Sequence, residues 1–143
     1  MRSLPAIDPN AIPTESFSWG TIKWFVTPDM TDGAGLTFGE VVMQPGEGHG
    51  RHNHPDAEEL LYVLSGNGEQ AIDGEPPFAV GPGDVIYVPK AVYHSTANTG
   101  WSPMHVLALY NPGGSETGLR DLPDHKELAP GVPPIFVRSD EPS

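Results

Sequence analysis

Turn-forming residues constrain this chain more than any other feature of its sequence. Seventeen glycines and seventeen prolines stand among 143 residues, and nearly all of them fall between short apolar runs rather than inside them. That is where an all-β chain places its turns. The runs are rich in β-branched and aromatic residues, as strands are. They cover Trp19 to Val26, Leu36 to Gln44, Leu60 to Leu64, Glu69 to Asp73, Val85 to Val88, Val92 to Ala97 and His105 to Tyr110. Between them lie Gly66-Asn67-Gly68, Asp73-Gly74, Gly81-Pro82-Gly83-Asp84 and Asn98-Thr99-Gly100, and Asn111-Pro112-Gly113-Gly114 closes the series. Seven or eight strands at this spacing, with little helical period, predict a sandwich or barrel. The length fits one domain. Residues 1–16, with Pro5, Pro9 and Pro13, read as an extended arm, and the chain turns Pro-rich again after Leu119, where Asp124 to Leu128 has room for one helical turn.

Charge and composition exclude several classes of function. Nineteen acids against seven bases give a net charge of −12. This is the opposite of a nucleic-acid footprint and is unsuited to an anionic membrane surface. With no cysteine, disulfides, thiolate metal sites and cysteine nucleophiles are out. No apolar run approaches the roughly 18 residues of a membrane span, and Met1 to Pro13 lacks the apolar stretch of a signal peptide. The expectation is a cytoplasmic protein.

Chemistry concentrates in the histidines. His49, His52 and His54 lie within six residues of one another, and His94 follows forty residues after His54. In a strand, residues i and i+2 share a face, so His52 and His54 project together. Pro55-Asp56-Ala57 then turns the chain into Glu58-Glu59, and one of these two carboxylates can return to the same face. Read alone, the His-x-His pair is equally consistent with separate surface histidines on turns. Three imidazoles and a carboxylate together form a mixed N/O set suited to a first-row divalent ion: Fe, Mn, Ni, Cu or Zn. The set is too nitrogen-rich for Ca or Mg.

The spacing adds a resemblance. Gly46-x5-His52-x-His54-x4-Glu59-x6-Gly66 resembles the first motif of the cupins at every marked position. Gly83-x5-Pro89-x-Ala91-x2-His94-x3-Asn98 resembles the second, with Ala91 in place of the usual glycine. The resemblance implies a double-stranded β-helix, the cupin jelly-roll barrel, over residues 17–112; residues 113–143, by their composition, read as a Pro-rich arm or lid. The resemblance also implies a metal inside the barrel on His52, His54, Glu59 and His94, and it selects Glu59 over Glu58. If the turn at position 91 needs a positive φ, alanine there costs about 1 kcal/mol. A homodimer is implied as well, since apolar barrel exteriors are common in cupin dimers.

Around that centre, Leu61 and Val63 share the face of Glu59 and line the barrel, whereas Tyr62 faces away. Parity aims His49 away from the metal. His105 shares a face with Leu107 and Leu109; facing inward, it is either a hydrogen-bonded core histidine or a proton carrier. Tyr87 and Tyr93 are the other candidates for moving a proton. Lys23 and Arg51 are the cations near the strands, either on the solvated surface or placed to bind a carboxylate. Trp19, Trp24, Phe25 and Phe38 build the core or a sheet face between subunits.

Four protein ligands around an ion that prefers six leave about two positions open, as chemistry requires. The reading is a metal-dependent enzyme acting on a small oxygenated organic molecule, with isomerase, lyase, cyclase or Fe(II) dioxygenase chemistry. The alternative is a non-catalytic cupin module that binds a sugar or metabolite, because function does not follow from fold.

Overall fold

Burial alternates along the strands with the period of two that a half-buried sheet imposes, and this fixes which side chains meet inside. The structure is a computed structural model that describes residues 6–136. The strands are β1 (Thr14–Phe17), β2 (Gly20–Val26), β3 (Thr37–Met43), β4 (Gly48–His52), β5 (Glu58–Ser65), β6 (Gly68–Ile72), β7 (Phe78–Val80), β8 (Val85–Val88), β9 (His94–Asn98), β10 (Met104–Asn111) and β11 (Lys126–Leu128). They form a seven-stranded sheet, ordered β11-β1-β2-β3-β10-β5-β8, and a four-stranded sheet, ordered β4-β9-β6-β7. Every pairing is antiparallel. Two such sheets closing over one core give a jelly-roll β-barrel.

The core lies between the sheets. The large sheet contributes Ile22, Trp24, Met43, Leu61, Val63 and Val106, among others, all nearly inaccessible to solvent. Gly39 is required by packing. A Cβ there would stand 2.4 Å from the Lys23 carbonyl oxygen and 2.5 Å from the Trp24 ring. Leu61 and Val63 point inward and Tyr62 outward, as parity predicts.

Several expectations change. On β10 the buried set is Met104, Val106, Ala108 and Tyr110. His105, Leu107 and Leu109 therefore occupy the opposite, outer face, and His105 sits there beside Glu40 at 3.1 Å. Parity was right about which residues travel together and silent about which face is inside, because both faces of β10 are apolar. Thr14 to Ser16, expected in an arm, belong to β1. Asp124 to Leu128 forms no helical turn; Lys126–Leu128 is β11, paired with β1. A short 3-10 helix, Ser115–Asp121, precedes it.

The segment from 113 to 128 is anchored on the barrel. The backbone N–H and hydroxyl of Ser18 both donate to Asp124 Oδ2, at 3.0 and 2.8 Å. Buried Glu15 accepts from Trp24 Nε1 at 2.7 Å and lies 3.2 Å from His125 Nε2. Buried Glu116 accepts from the Thr37 hydroxyl and from Gly114 N–H. Residues 137–143 of the expected arm lie outside the described residues. Among the described residues, no helix is long and apolar enough to cross a membrane.

Candidate metal centre

The centre is assembled from three segments of the barrel interior. β4 and β9 place His52 directly opposite His94. β4 ends at His52, so His54 reaches the interior from the loop beyond the strand rather than from a strand position. That loop is tied to the second motif, because Ala91 N–H donates to the His54 carbonyl at 3.0 Å and Asn53 Nδ2 donates to the Ala91 carbonyl at 3.1 Å. Ala91 has φ +67°, in the left-handed region that favours glycine. Glu59 comes from β5, opposite Tyr110 of β10.

One ligand nitrogen from each of His52, His54 and His94 lies within 4.8 Å of the others, a spacing at which they can share an ion. Glu59 Oε2 is 3.0 Å from His54 Nε2, and Oε1 is 3.5 Å from His94 Nε2. At those separations the groups are still not aligned as hydrogen bonds, and among the described residues His54 Nε2, His94 Nε2 and Glu59 Oε2 are buried without a partner. Buried polar atoms are nearly always satisfied. Three orphans from three chain segments converging on one point fit a divalent cation, as does the donor set. The outer nitrogens are used: His52 Nδ1 meets the Gly50 carbonyl at 2.6 Å and His94 Nδ1 meets that of Val92 at 3.0 Å. Such bonds fix the tautomer that turns an Nε2 lone pair inward.

Electrostatics support the same arrangement. Burial alone would hold the Glu59 carboxyl in its neutral form, but His54 and His94 outweigh it and keep the group ionised, with a pKa of about 2. Burial, reinforced by neighbouring imidazoles, holds His52 neutral at about 3. For His94, burial is overcome by Glu59 and by the Val92 carbonyl, so its pKa rises. Tyr110 is raised well above the usual phenol value, first by burial and then by the Glu59 charge, so its proton stays on.

A cavity of about 40 Å³ adjoins these groups, lined on one side by His49, His52, His94 and Thr96 and on the other by Val41, Leu61, Val106 and Ala108. His49 is the main correction to the sequence reading. It lines this cavity, stacked between Trp19 at 5.3 Å and His52 at 3.9 Å. On β9 the partners Thr96 and His94 are two positions apart, while on β4 His49 and His52 are three apart, and the register shifts between them. That extra residue is a β-bulge, and it turns His49 to the same face as His52. Burial pushes His49 down to about 4.

A protein-family model described as the cupin domain matches residues 39–110, half of the chain and both histidine segments. The chain belongs to the cupin family. This cupin is 33% identical over 90 residues to Protein SchB of Streptomyces halstedii, a match covering 62% of this chain and 64% of that one. It is 38% identical over 88 residues to a glucose-6-phosphate isomerase of Thermococcus kodakarensis, covering 52% of this chain but only 46% of the isomerase. Among solved structures, a predicted oxalate decarboxylase from Thermotoga maritima superposes with a TM-score of 0.64 at 22% identity, covering 75% of this chain and 98% of that one.

The barrel brings together His52, His54, His94 and Glu59, and it keeps the other nominated residues apart from them. Tyr87 is exposed and donates to Glu58 at 3.0 Å. Tyr93 is exposed beneath the Arg51 guanidinium, 4.0 Å from the ring centre. His105 is outside the barrel beside Glu40. None of these three lines the cavity. Lys23 is held by the Pro9 and Ile12 carbonyls and Arg51 by Asp73, so neither cation faces the centre. The residues that sequence reading missed are His49 and Tyr110. Tyr110 was legible in principle, as the inward position two residues beyond Ala108.

Proposed function

We propose that this cupin holds one divalent transition metal on His52, His54, His94 and Glu59 and is a metal-dependent enzyme acting on a small oxygenated organic molecule. The observation that carries the reading is the convergence of three buried, unpartnered ligand atoms, His54 Nε2, His94 Nε2 and Glu59 Oε2. When bound, such an ion supplies Lewis-acid polarisation of a carbonyl or carboxylate oxygen. The chain's own residues supply the rest. Bonds to backbone carbonyls aim His52 and His94 inward. Ionised Glu59 contributes one negative charge. Tyr110 keeps its phenolic proton beside that carboxylate. Val41, Leu61, Val106 and Ala108 exclude water from the opposite wall. The cavity of about 40 Å³ is a few times the roughly 10–15 Å³ that holds one water on the same measure, so it admits the oxygenated head of a substrate. The isomerase among the relatives acts on a small oxygenated molecule by its name, which supports an enzyme over a passive module.

The test is elemental analysis of protein purified without added metal, followed by titration with Mn2+, Co2+ or Zn2+ salts. One equivalent of a first-row metal, lost in His52→Ala, is the expected result. A protein that neither carries nor takes up such an ion, yet binds a sugar tightly, is a module and not this enzyme.

The same reading includes a homodimer through the outer face of β5 and β8, where Leu60, Tyr62, Leu64, Val85 and Tyr87 are exposed. The only charge among the outward side chains of these strands is Glu58, which is engaged by Tyr87 and Asn111. On a chain of net charge −12, such a face is where a second copy meets least repulsion, and patches of this kind mark interaction sites. Val85→Asp should convert the dimer to monomer in light scattering; a wild-type monomer refutes the assignment.

A further inference from the structure

The inner face of the small sheet is arranged in rows. Gln70 of β6 lies opposite Thr96 of β9, which lies opposite His49 of β4. The next row is Ile72, His94 and His52. Successive rows on one face are two residues apart, about 7 Å along a strand. A polar row therefore stands one step down the barrel from the ligand row. Thr96 and His49 line the cavity, and the wall facing them across it is apolar: Val41, Val106 and Ala108.

The polar row serves poorly as packing. Gln70 has no solvent exposure. Its carbonyl oxygen accepts from the Thr96 hydroxyl, and among the described residues its amide nitrogen reaches only the neighbouring Ala71 carbonyl, at 3.4 Å. Hydroxyl and amide together carry three hydrogen-bonding protons, and these bonds engage two. Burying such a group part-satisfied opposes folding. An aliphatic side chain would avoid that cost, as Ile72 does in the adjacent row. The bond between Gln70 and Thr96 instead fixes the hydroxyl oxygen at the cavity wall, with lone pairs free to accept.

We propose that Thr96, oriented by Gln70 and flanked by His49, hydrogen-bonds the oxygen substituent of a substrate whose carboxylate or carbonyl sits at the centre formed by His52, His54, His94 and Glu59. The row then selects short hydroxy acids over their deoxy analogues. Their oxygen edge meets β9 and β6, and their C–H edge meets Val106 and Ala108. The small cavity limits this head to a few heavy atoms. The inference rests on the metal-centre reading above; Thr96 touches the substrate, and Gln70 is a positioning residue.

The experiment uses the full chain loaded with Co2+ and titrated with glycolate and with acetate, followed by the visible Co2+ absorption and by calorimetry. Wild type binds glycolate more tightly than acetate. Thr96→Val, which keeps the side-chain volume, weakens glycolate about 2- to 10-fold, the worth of one neutral hydrogen bond, and leaves acetate unchanged. Thr96→Ser keeps the preference. Gln70→Met weakens glycolate as well, and adds little on top of Thr96→Val because the two residues act as a unit. Co2+ binds at one equivalent throughout. An unchanged preference in Thr96→Val, or a preference lost in Thr96→Ser, overturns the proposal while leaving the metal centre standing. A wild-type chain that takes up no Co2+ overturns the metal reading and this inference with it.

Discussion

Replacing Ala91 by glycine should stabilise this barrel, because Ala91 holds φ +67° in the turn between β8 and β9. An L-residue in that region brings Cβ against the following carbonyl, at a cost of about 1–2 kcal/mol. Glycine removes the clash but loses about 0.4–1 kcal/mol through the greater freedom of the unfolded chain. The difference is a net gain of about 0.5–1 kcal/mol. For a chain of 143 residues this corresponds to a rise in Tm of about 1–4 °C, at about 2–4 °C per kcal/mol as in somewhat larger domains. The folded turn needs no rearrangement: Ala91 N–H bonds to the His54 carbonyl and its own carbonyl accepts from Asn53, and glycine keeps both backbone groups. The assay is thermal and urea denaturation of wild type and Ala91→Gly, with and without added metal. Metal affinity should be unchanged, since His94 keeps its position. A neutral or lower Tm would refute the reasoning, as it would mean that the alanine is unstrained at this φ.

Further predictions concern the centre and the anchored C-terminal segment. His94→Ala should abolish stoichiometric metal binding while far-UV circular dichroism stays that of a folded β protein, because strand pairing closes the core without the ion; unfolding by a chelator would show a structural metal instead. Metal binding should release a proton from His94, whose pKa is raised, and not from His52, already neutral down to about pH 3. Occupancy should therefore fall as pH is lowered, starting above the ordinary imidazole range, and equilibrium dialysis between pH 5 and 8 reads it; occupancy independent of pH across that range contradicts the assignment. Trp24→Phe strips the donor from Glu15 Oε2 in a buried setting. It should cost about 1–3 kcal/mol, measured as a lower urea midpoint, and an unshifted midpoint would show that water or Arg120, whose Nε lies 3.6 Å from Glu15 Oε1, replaces the indole.

Much of the proposed centre was legible in the sequence because its candidate ligands stand at the marked positions of two segments that resemble the cupin motifs, one around His52, His54 and Glu59 and one around His94. His52, His54, Glu59 and His94 could be listed from the motifs alone, and the strained turn at Ala91 could be anticipated from the one position that departs from them. The strand runs were legible because β-branched and aromatic residues alternate with turn residues. Three things required tertiary structure. β10 is apolar on both faces, so only its neighbours decide that Tyr110 points inward and His105 outward. A bulge in β4 depends on pairing with β9, and local parity therefore placed His49 on the wrong face. Thr14 to Ser16 and Lys126 to Leu128 carry little strand signal of their own; the first becomes a strand by pairing with β2 and the second by pairing with the first. Local chemistry is written along the chain, but which face is inside, and which distant segments share an edge, are properties of the packed whole.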